Sequence, residues 1–176
     1  MGINPEEKRK LVYIMNKLTH IVHPFGPLYD ADSRVLILGS LPSVKSREQN
    51  FFYGHPQNRF WPLLAALFGE DAPQSVEEKR SLALRHHIAL WDTIQSCDIV
   101  GSSDSSIRNA VPTDLRPILA GSGVTRIFCN GRTSGLYYKK YQEQTLGIPA
   151  TVLPSTSPAN AAWTMDRLME AWGVIL

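Results

Sequence analysis

The chain has 176 residues, of which 43% are hydrophobic and 19% are charged. This balance predicts a single globular domain with an ordinary hydrophobic core, and it excludes collagen, coiled coils and extended disorder, each of which requires a biased composition. Eighteen Lys and Arg residues against sixteen Asp and Glu residues give a net charge of +2, which permits a polyanionic partner but does not require one.

The first 23 residues form the N-terminal segment of the predicted domain. Charged side chains run through the stretch where a secretory signal peptide would be apolar, and no window reaches the roughly 18 apolar residues of a membrane span. We therefore predict a cytoplasmic protein without membrane contact, of a kind that would suit a prokaryote. Residues 5–21 are predicted to form one amphipathic helix, followed by an α/β core over residues 24–176.

Four apolar runs of strand length follow, each bounded by turn residues. The runs are nearly continuous instead of alternating, which is typical of strands buried on both faces of a parallel sheet. They cover residues 34–39, 88–93, 125–130 and 149–153.

Helix-like stretches lie between and after these strands, and one of them starts with a capping-box pattern at Ser75 and Glu78. They cover residues 62–68, 75–87, 113–120, 134–144 and 159–172. The alternation predicts a three-layer α/β/α sandwich around a central four-stranded parallel sheet. Ligands of such sheets bind outside the carboxyl ends of the strands, which directs attention to the four loops that follow the strands.

The two cysteines, Cys97 and Cys129, lie far apart, with no CxxC motif and no histidine at metal-binding spacing. This pattern predicts neither a zinc site, nor an iron–sulfur cluster, nor a disulfide framework. We expect no metal and no cofactor, and a reducing compartment.

The loop after the first strand, residues 40–60, is longer than the usual two to six residues of such a connection. It contains an aromatic run that ends at Tyr53, followed by His55 and Asn58. Aromatic rings beside a carboxamide and an imidazole suit the recognition of a planar, hydrogen-bonding ring. Phe60 and Trp61, at the end of the loop, have the alternative interpretation of core residues of the next helix.

The loop after the fourth strand, residues 154–160, is small and polar and contains two prolines. Hydroxyl and amide groups in front of a helix can bind phosphate oxygens, and a proline-braced tip can press into a base stack. Simple capping of the next helix is the alternative interpretation.

Three segments together carry a resemblance to a known family. Gly-Ser-Leu-Pro-Ser at 39–43, Phe-Tyr-Gly-His-Pro-Gln-Asn-Arg-Phe-Trp at 52–61 and Leu-Pro-Ser-Thr-Ser-Pro-Ala-Asn at 153–160 are similar to the signatures of the uracil-DNA glycosylase superfamily, most of all its hypoxanthine-DNA glycosylase branch. The resemblance implies a monofunctional DNA glycosylase of base-excision repair, which flips out a deaminated base and hydrolyses its N-glycosidic bond without a cofactor. It also implies DNA containing deaminated bases as the partner, and we expect a monomer.

The same resemblance implies roles for individual residues. Leu41 and Leu153 stand where other branches have polar catalytic groups, so Asn58 is predicted to orient the attacking water. His55 is predicted to assist catalysis, with shaping of the loop as the alternative. Tyr53 is predicted to stack on the flipped base.

Further residues are predicted to contact the base edge or the DNA. Ser40, Leu41 and Asp92 are assigned to the base edge, although Asp92 has the alternative role of a turn or cap residue. The predicted DNA contacts are Pro42, Ser43, Lys45, Ser155, Thr156, Ser157 and Pro158. Lys45, Arg47 and Arg59 are candidates for the salt-dependent part of DNA binding.

Residues 2–5 match a mismatch-glycosylase signature superficially, but no strand precedes them, so we interpret them as the start of a helix. Alternatives to the predicted function are a uracil- or xanthine-preferring glycosylase, a hydrolase of free nucleosides, and a catalytically silent module that binds DNA or a modified base.

Overall fold

The computed structural model describes residues 2–176, which contain seven strands and eight α-helices. The strands are β1 Thr19–Val22, β2 Val35–Gly39, β3 Ile88–Asp92, β4 Ile94–Ile99, β5 Arg108–Pro112, β6 Arg126–Asn130 and β7 Ala150–Leu153. The helices are α1 Pro5–Met15, α2 Val44–Gln49, α3 Phe60–Leu67, α4 Val76–Arg85, α5 Arg116–Ala120, α6 Arg132–Tyr141, α7 Glu143–Leu146 and α8 Met165–Trp172.

The central sheet is parallel and has the strand order β3-β2-β6-β7. Every residue of β2 and β3 is buried, as expected of strands that are covered on both faces. Helix α4 packs on β3, α6 packs on β6 and β7, and α3 packs against α8. The α/β class and the four-stranded parallel sheet predicted from the sequence are confirmed.

The register of the parallel sheet determines which residues meet at its carboxyl edge. Gly39 of β2 is paired with Asp92 of β3, and Asn130 of β6 is paired with Leu153 of β7. The loops that follow these four residues therefore start side by side, which is the arrangement that forms ligand sites in open α/β sheets.

A second, antiparallel sheet with the order β1-β4-β5 was not predicted. The sequence pattern places the second of the four loops at residues 94–109, but β4 continues almost directly from β3 and pairs with both β1 and β5. The sequence of β4 lacks the continuous apolar run of a buried strand, because only Ile94, Cys97 and Ile99 are fully buried. Pairing between distant segments stabilises this sheet, and a local pattern does not report such pairing.

The N-terminal helix is shorter than predicted. Helix α1 ends at Met15, and residues 19–22 form the edge strand β1 instead of continuing the helix. Asn4 caps the helix with a reciprocal capping box to Glu7, so the interpretation of residues 2–5 as a helix start is confirmed.

Two other helices start at positions that differ from the prediction, because a capping side chain determines where each one begins. Ser43 accepts a hydrogen bond from the backbone N–H of Ser46 and starts α2 inside the predicted long loop. Thr164 caps α8 at Met165, so residues 159–164 belong to the preceding loop and not to the helix. Within residues 2–176, none of the helices combines the length and the apolar character that crossing a membrane requires.

Candidate active site

A cleft of about 390 Å³ lies at the carboxyl edge of the parallel sheet. All four strand ends contribute to it, directly or through the loop that follows. Its lining residues are Gly39, Ser40, Leu41, Pro42, Ser43, Ser46, Phe52, Tyr53, Asn58, Asp92, Ile99, Ser102, Ser103, Asp104, Ser105, Asn130, Ser155, Thr156, Ser157 and Ala159. Segments of the first, second and last predicted loops, together with the end of β6, are therefore brought together around one concave surface.

The Asp92 carboxylate lies on the floor of this cleft, where the side chain is 5% exposed. One oxygen, Oδ2, is 2.6 Å from Nε2 of His23. Within residues 2–176 the other oxygen, Oδ1, has no hydrogen-bond partner. A Cβ atom on Gly39 would overlap this oxygen, so glycine at position 39 leaves room for the carboxylate. The floor of the cleft thus presents a fixed hydrogen-bond acceptor.

Tyr53 forms a wall of the cleft in a backbone conformation that side chains rarely adopt. Its φ angle is +53°, and its ring stacks on Phe60 with 4.0 Å between centroids and 25° between planes. Burial, and secondarily the charge of Asp92, raise the pKa of the Tyr53 hydroxyl, which remains neutral. Among the described residues this buried hydroxyl has no hydrogen-bond partner. Backbone strain of this kind persists where the surrounding structure enforces it, as it does at functional sites.

Asn58 is held by a hydrogen-bond network that joins the first and last loops. Its Oδ1 accepts from the hydroxyl of Thr156 at 2.8 Å and from the backbone N–H of Phe60 at 2.9 Å. Thr156 in turn accepts from Nδ2 of Asn130 at 3.0 Å, and its backbone N–H donates to Oδ1 of Asn130. Both lone pairs of the Asn58 oxygen are therefore engaged, and the free group of this carboxamide is its N–H donor.

Arg59 fastens the last loop to the first. Its guanidinium donates to the backbone carbonyls of Ser157 at 2.9 Å and Asn160 at 3.1 Å, and also to those of Thr156 and Trp163. A side chain with this set of partners determines the position of the loop, in contrast to the DNA contact considered from the sequence.

We expect Arg59→Ala to lower the free energy of unfolding by about 2–3 kcal/mol, because several carbonyls lose a charged donor. Arg59→Lys should not restore stability, since one ammonium group cannot reach carbonyls that a planar guanidinium bridges. Urea unfolding of the wild type and both variants measures this. If Arg59→Lys were as stable as the wild type, the positive charge alone would be the important property.

The remaining sequence-predicted residues fall into two groups. Residues 40–43, together with Ser155, Thr156 and Ser157, line the cleft, and Ser43 also caps α2. Lys45 and Pro158 are not among the lining residues, and Lys45 lies exposed beside Glu48.

His55 also lies outside the cleft lining. Its Nδ1 accepts from the backbone N–H of Gln57 at 3.1 Å, and its backbone carbonyl accepts from Asn58. These contacts match the alternative role of shaping the loop.

Phe60 and Trp61 are buried core residues, as the alternative interpretation stated. The indole N–H of Trp61 donates to the backbone carbonyl of Phe52 at 3.0 Å. Both rings therefore hold cleft residues in place: Phe60 stacks on Tyr53, and Trp61 donates its hydrogen bond to Phe52.

Sequence reasoning missed two contributors to the site. His23 lies at the end of the predicted N-terminal segment, just beyond the predicted helix, and nothing local in the sequence indicates that it meets Asp92. Asp104 was also assigned no role, although the structure places its side chain at the cleft, in the small polar segment that follows β4. Within residues 2–176, no cluster of His, Cys, Asp and Glu side chains could hold a metal ion.

Comparisons with known proteins agree on one family. The family model described as the uracil DNA glycosylase superfamily matches residues 27–174. Two curated relatives are named hypoxanthine DNA glycosylase. The one from Methanosarcina acetivorans is 34% identical over 148 residues, which is 83% of this chain and 92% of the relative. The one from Methanosarcina barkeri is 34% identical over 143 residues, which is 77% of this chain and 86% of the relative.

A solved structure shares the fold as well. The solution NMR structure of a protein from Methanosarcina acetivorans superimposes with a TM-score of 0.75 and 31% sequence identity. The match covers 88% of this chain and 96% of that one, so the likeness extends over nearly the whole domain.

Proposed function

Since the chain belongs to the uracil DNA glycosylase superfamily, we propose that it is a monofunctional DNA glycosylase that removes deaminated bases, hypoxanthine foremost. Such an enzyme flips the damaged nucleotide out of the duplex and hydrolyses the bond between base and deoxyribose. We propose further that it acts as one domain and as a monomer. Repair of DNA in the cytoplasm is part of the same proposal.

The observation that carries this proposal is the acceptor at the cleft floor. Deamination of adenine replaces the 6-amino group with a carbonyl and turns ring atom N1 from an acceptor into an N–H donor. The free oxygen of Asp92 accepts hydrogen bonds and donates none. It therefore matches the new N–H of hypoxanthine and opposes the lone pair of adenine.

The same chemistry divides the bases into two groups. Xanthine and uracil also carry a ring N–H beside a carbonyl, as do the normal bases guanine and thymine, so the Asp92 acceptor admits all of these and opposes adenine and cytosine. Hypoxanthine is placed first because both curated relatives carry that name.

Tyr53 is proposed to stack on the flipped base. One face of its ring is covered by Phe60, and the residue lines the cleft, where the other face can receive a planar ligand. Stacking of a base on an aromatic side chain is worth about 1–3 kcal/mol. This stabilisation helps to offset the cost of taking the base out of the helix.

Asn58 is proposed to be the catalytic group. Cleavage of the N-glycosidic bond leaves positive charge on the sugar and negative charge on the departing base, and a fixed donor stabilises the latter. The Asn58 N–H is such a donor, since the carboxamide oxygen is occupied by Thr156 and Phe60. If Asn58 also orients the attacking water, it does so by donating to the water oxygen and not by accepting its proton.

The function is tested by incubating the protein with labelled duplexes that contain one hypoxanthine, xanthine, uracil or adenine, followed by alkaline cleavage of abasic sites. We expect cleavage at hypoxanthine and none at adenine. Cleavage only at uracil would keep the family and change the assigned substrate from hypoxanthine to uracil. No cleavage at any deaminated base would contradict the proposal that the protein is a glycosylase.

Two further assays separate this function from its rivals. Release of base from free deoxyinosine at a rate matching the duplex would indicate a nucleoside hydrolase. A covalent complex with DNA after borohydride treatment would contradict the monofunctional mechanism, because it would reveal a Schiff-base lysine.

A further inference from the structure

His23 is brought to the back of the active-site cleft by the antiparallel sheet. It follows β1 directly, and its backbone N–H donates to the carbonyl of Gln95 in β4 at 2.8 Å. The residue lies outside the residues 27–174 that the family model matches. The N-terminal segment thus contributes a side chain to a site that the other loops surround.

The imidazole of His23 is completely enclosed. Its side chain is 0% exposed, and its ring packs against Trp91 at 4.3 Å and Phe25 at 4.6 Å between centroids. Its one polar contact among the described residues is with Oδ2 of Asp92 at 2.6 Å. Within that same part of the chain, the other ring nitrogen, Nδ1, has no hydrogen-bond partner.

This environment determines the proton's position. A second N–H at Nδ1 would be a buried donor without a partner, which is costly in apolar surroundings. The neutral ring with its proton on Nε2 has no such donor and gives Asp92 Oδ2 a hydrogen bond. His23 therefore acts on Asp92 as a fixed donor.

We propose that His23 is a positioning residue that selects the substrate base through Asp92. By donating to Oδ2, it holds the carboxylate in one rotamer and leaves Oδ1, an acceptor, facing the cleft. This inference rests on the proposed function, because it explains how the acceptor that recognises the N–H of a deaminated base is kept in place. His23 itself does not touch the base.

The test compares two variants of similar polarity. In His23→Gln the amide nitrogen occupies the place of Nε2 and reaches Asp92, whereas in His23→Asn it occupies the place of Nδ1 and does not. We expect His23→Gln to cleave deoxyinosine in duplex DNA within about fivefold of the wild-type rate, and His23→Asn to fall by about 10- to 100-fold, the loss typical of a hydrogen bond to a charged group.

His20 provides the matched control. It pairs with Asp98 at 2.8 Å on the exposed side of the same sheet, and neither residue is among those that line the cleft. His20→Asn should leave the cleavage rate and the melting temperature unchanged. Circular dichroism melts of all three variants show whether each is folded at the assay temperature.

A purely structural role for His23 makes a different prediction. If His23→Gln lost as much activity as His23→Asn while both stayed folded, or if His23→Asn cleaved at the wild-type rate, the inference would be overturned. Wild-type protein that cleaves no deaminated base would instead overturn the proposed function, and this inference with it.

A second readout does not depend on activity or on the folding of the His23 variants. In the wild type labelled with ¹⁵N-histidine, the nitrogen spectrum should show one histidine with its proton on Nε2 and slow exchange with solvent. Substitution of Asp92 should shift that signal. A His23 ring with its proton on Nδ1 would contradict the proposed contact.

Discussion

Asn58→Ala is expected to lower the rate of deoxyinosine cleavage by about 100- to 1000-fold, the loss seen when one fixed donor to a developing negative charge is removed. The structure leaves the amide N–H of Asn58 as the group that faces the cleft, because Thr156 and Phe60 occupy its oxygen. Single-turnover cleavage of a duplex with one hypoxanthine measures the effect without interference from product release.

Alanine also removes the Asn58 oxygen, which joins the first and last loops by accepting from Thr156. A second variant must therefore separate the catalytic role of the N–H from the structural role of the oxygen. Asn58→Asp keeps an oxygen for Thr156 and Phe60 but replaces the N–H donor with another acceptor. We expect it to remain as slow as Asn58→Ala. Thr156→Val removes a hydroxyl that donates to Asn58 and accepts from Asn130. Because only the first of these two bonds holds Asn58, the variant should lower the cleavage rate by about tenfold or less, as expected for one neutral hydrogen bond.

The opposite result would be informative. If Asn58→Asp restored the rate or exceeded that of the wild type, the residue would act through an oxygen on the attacking water. The donor role proposed from the geometry would then be wrong.

The sequence was sufficient for the parallel sheet because its strands are buried on both faces. Val35–Gly39 and Ile88–Asp92 consist of residues that are all buried, and a continuous apolar run is the direct consequence. The antiparallel sheet could not be found in the same way. β1 and β4 are partly exposed and polar, and they are strands because they pair with each other over a long sequence separation.

The candidate site shows the same difference between local features, which the sequence reveals, and long-range contacts, which it does not. Tyr53 and Asn58 lie in one loop whose length and composition already indicated function, and the structure places both at the cleft. The contacts that determine their chemistry are long-range. Thr156 reaches Asn58 from the last loop, and His23 reaches Asp92 from the N-terminal segment. A sequence gives the identities of such residues but not the partner that each one meets.

Asp92→Asn is expected to reduce deoxyinosine cleavage by about 100-fold, since a buried donor then opposes another donor. The asparagine is nearly the same shape as aspartate, but His23 donates from Nε2 and must therefore be met by the amide oxygen. The amide NH₂ group is then forced to face the cleft. It opposes the ring N–H of hypoxanthine, whereas it suits the lone pair at N1 of adenine.

The variant should consequently lose discrimination as well as rate. The ratio of deoxyinosine to deoxyadenosine cleavage, measured on otherwise identical duplexes, is expected to fall further than overall DNA binding does. Asp98→Asn is the matched control, because Asp98 also pairs with a histidine, at 2.8 Å from His20, but is not among the residues that line the cleft. If Asp92→Asn kept the wild-type ratio of deoxyinosine to deoxyadenosine cleavage, another group in the cleft would have to select the base. The Tyr53 hydroxyl would then be the first candidate, because it is buried beside Asp92 without a partner among residues 2–176.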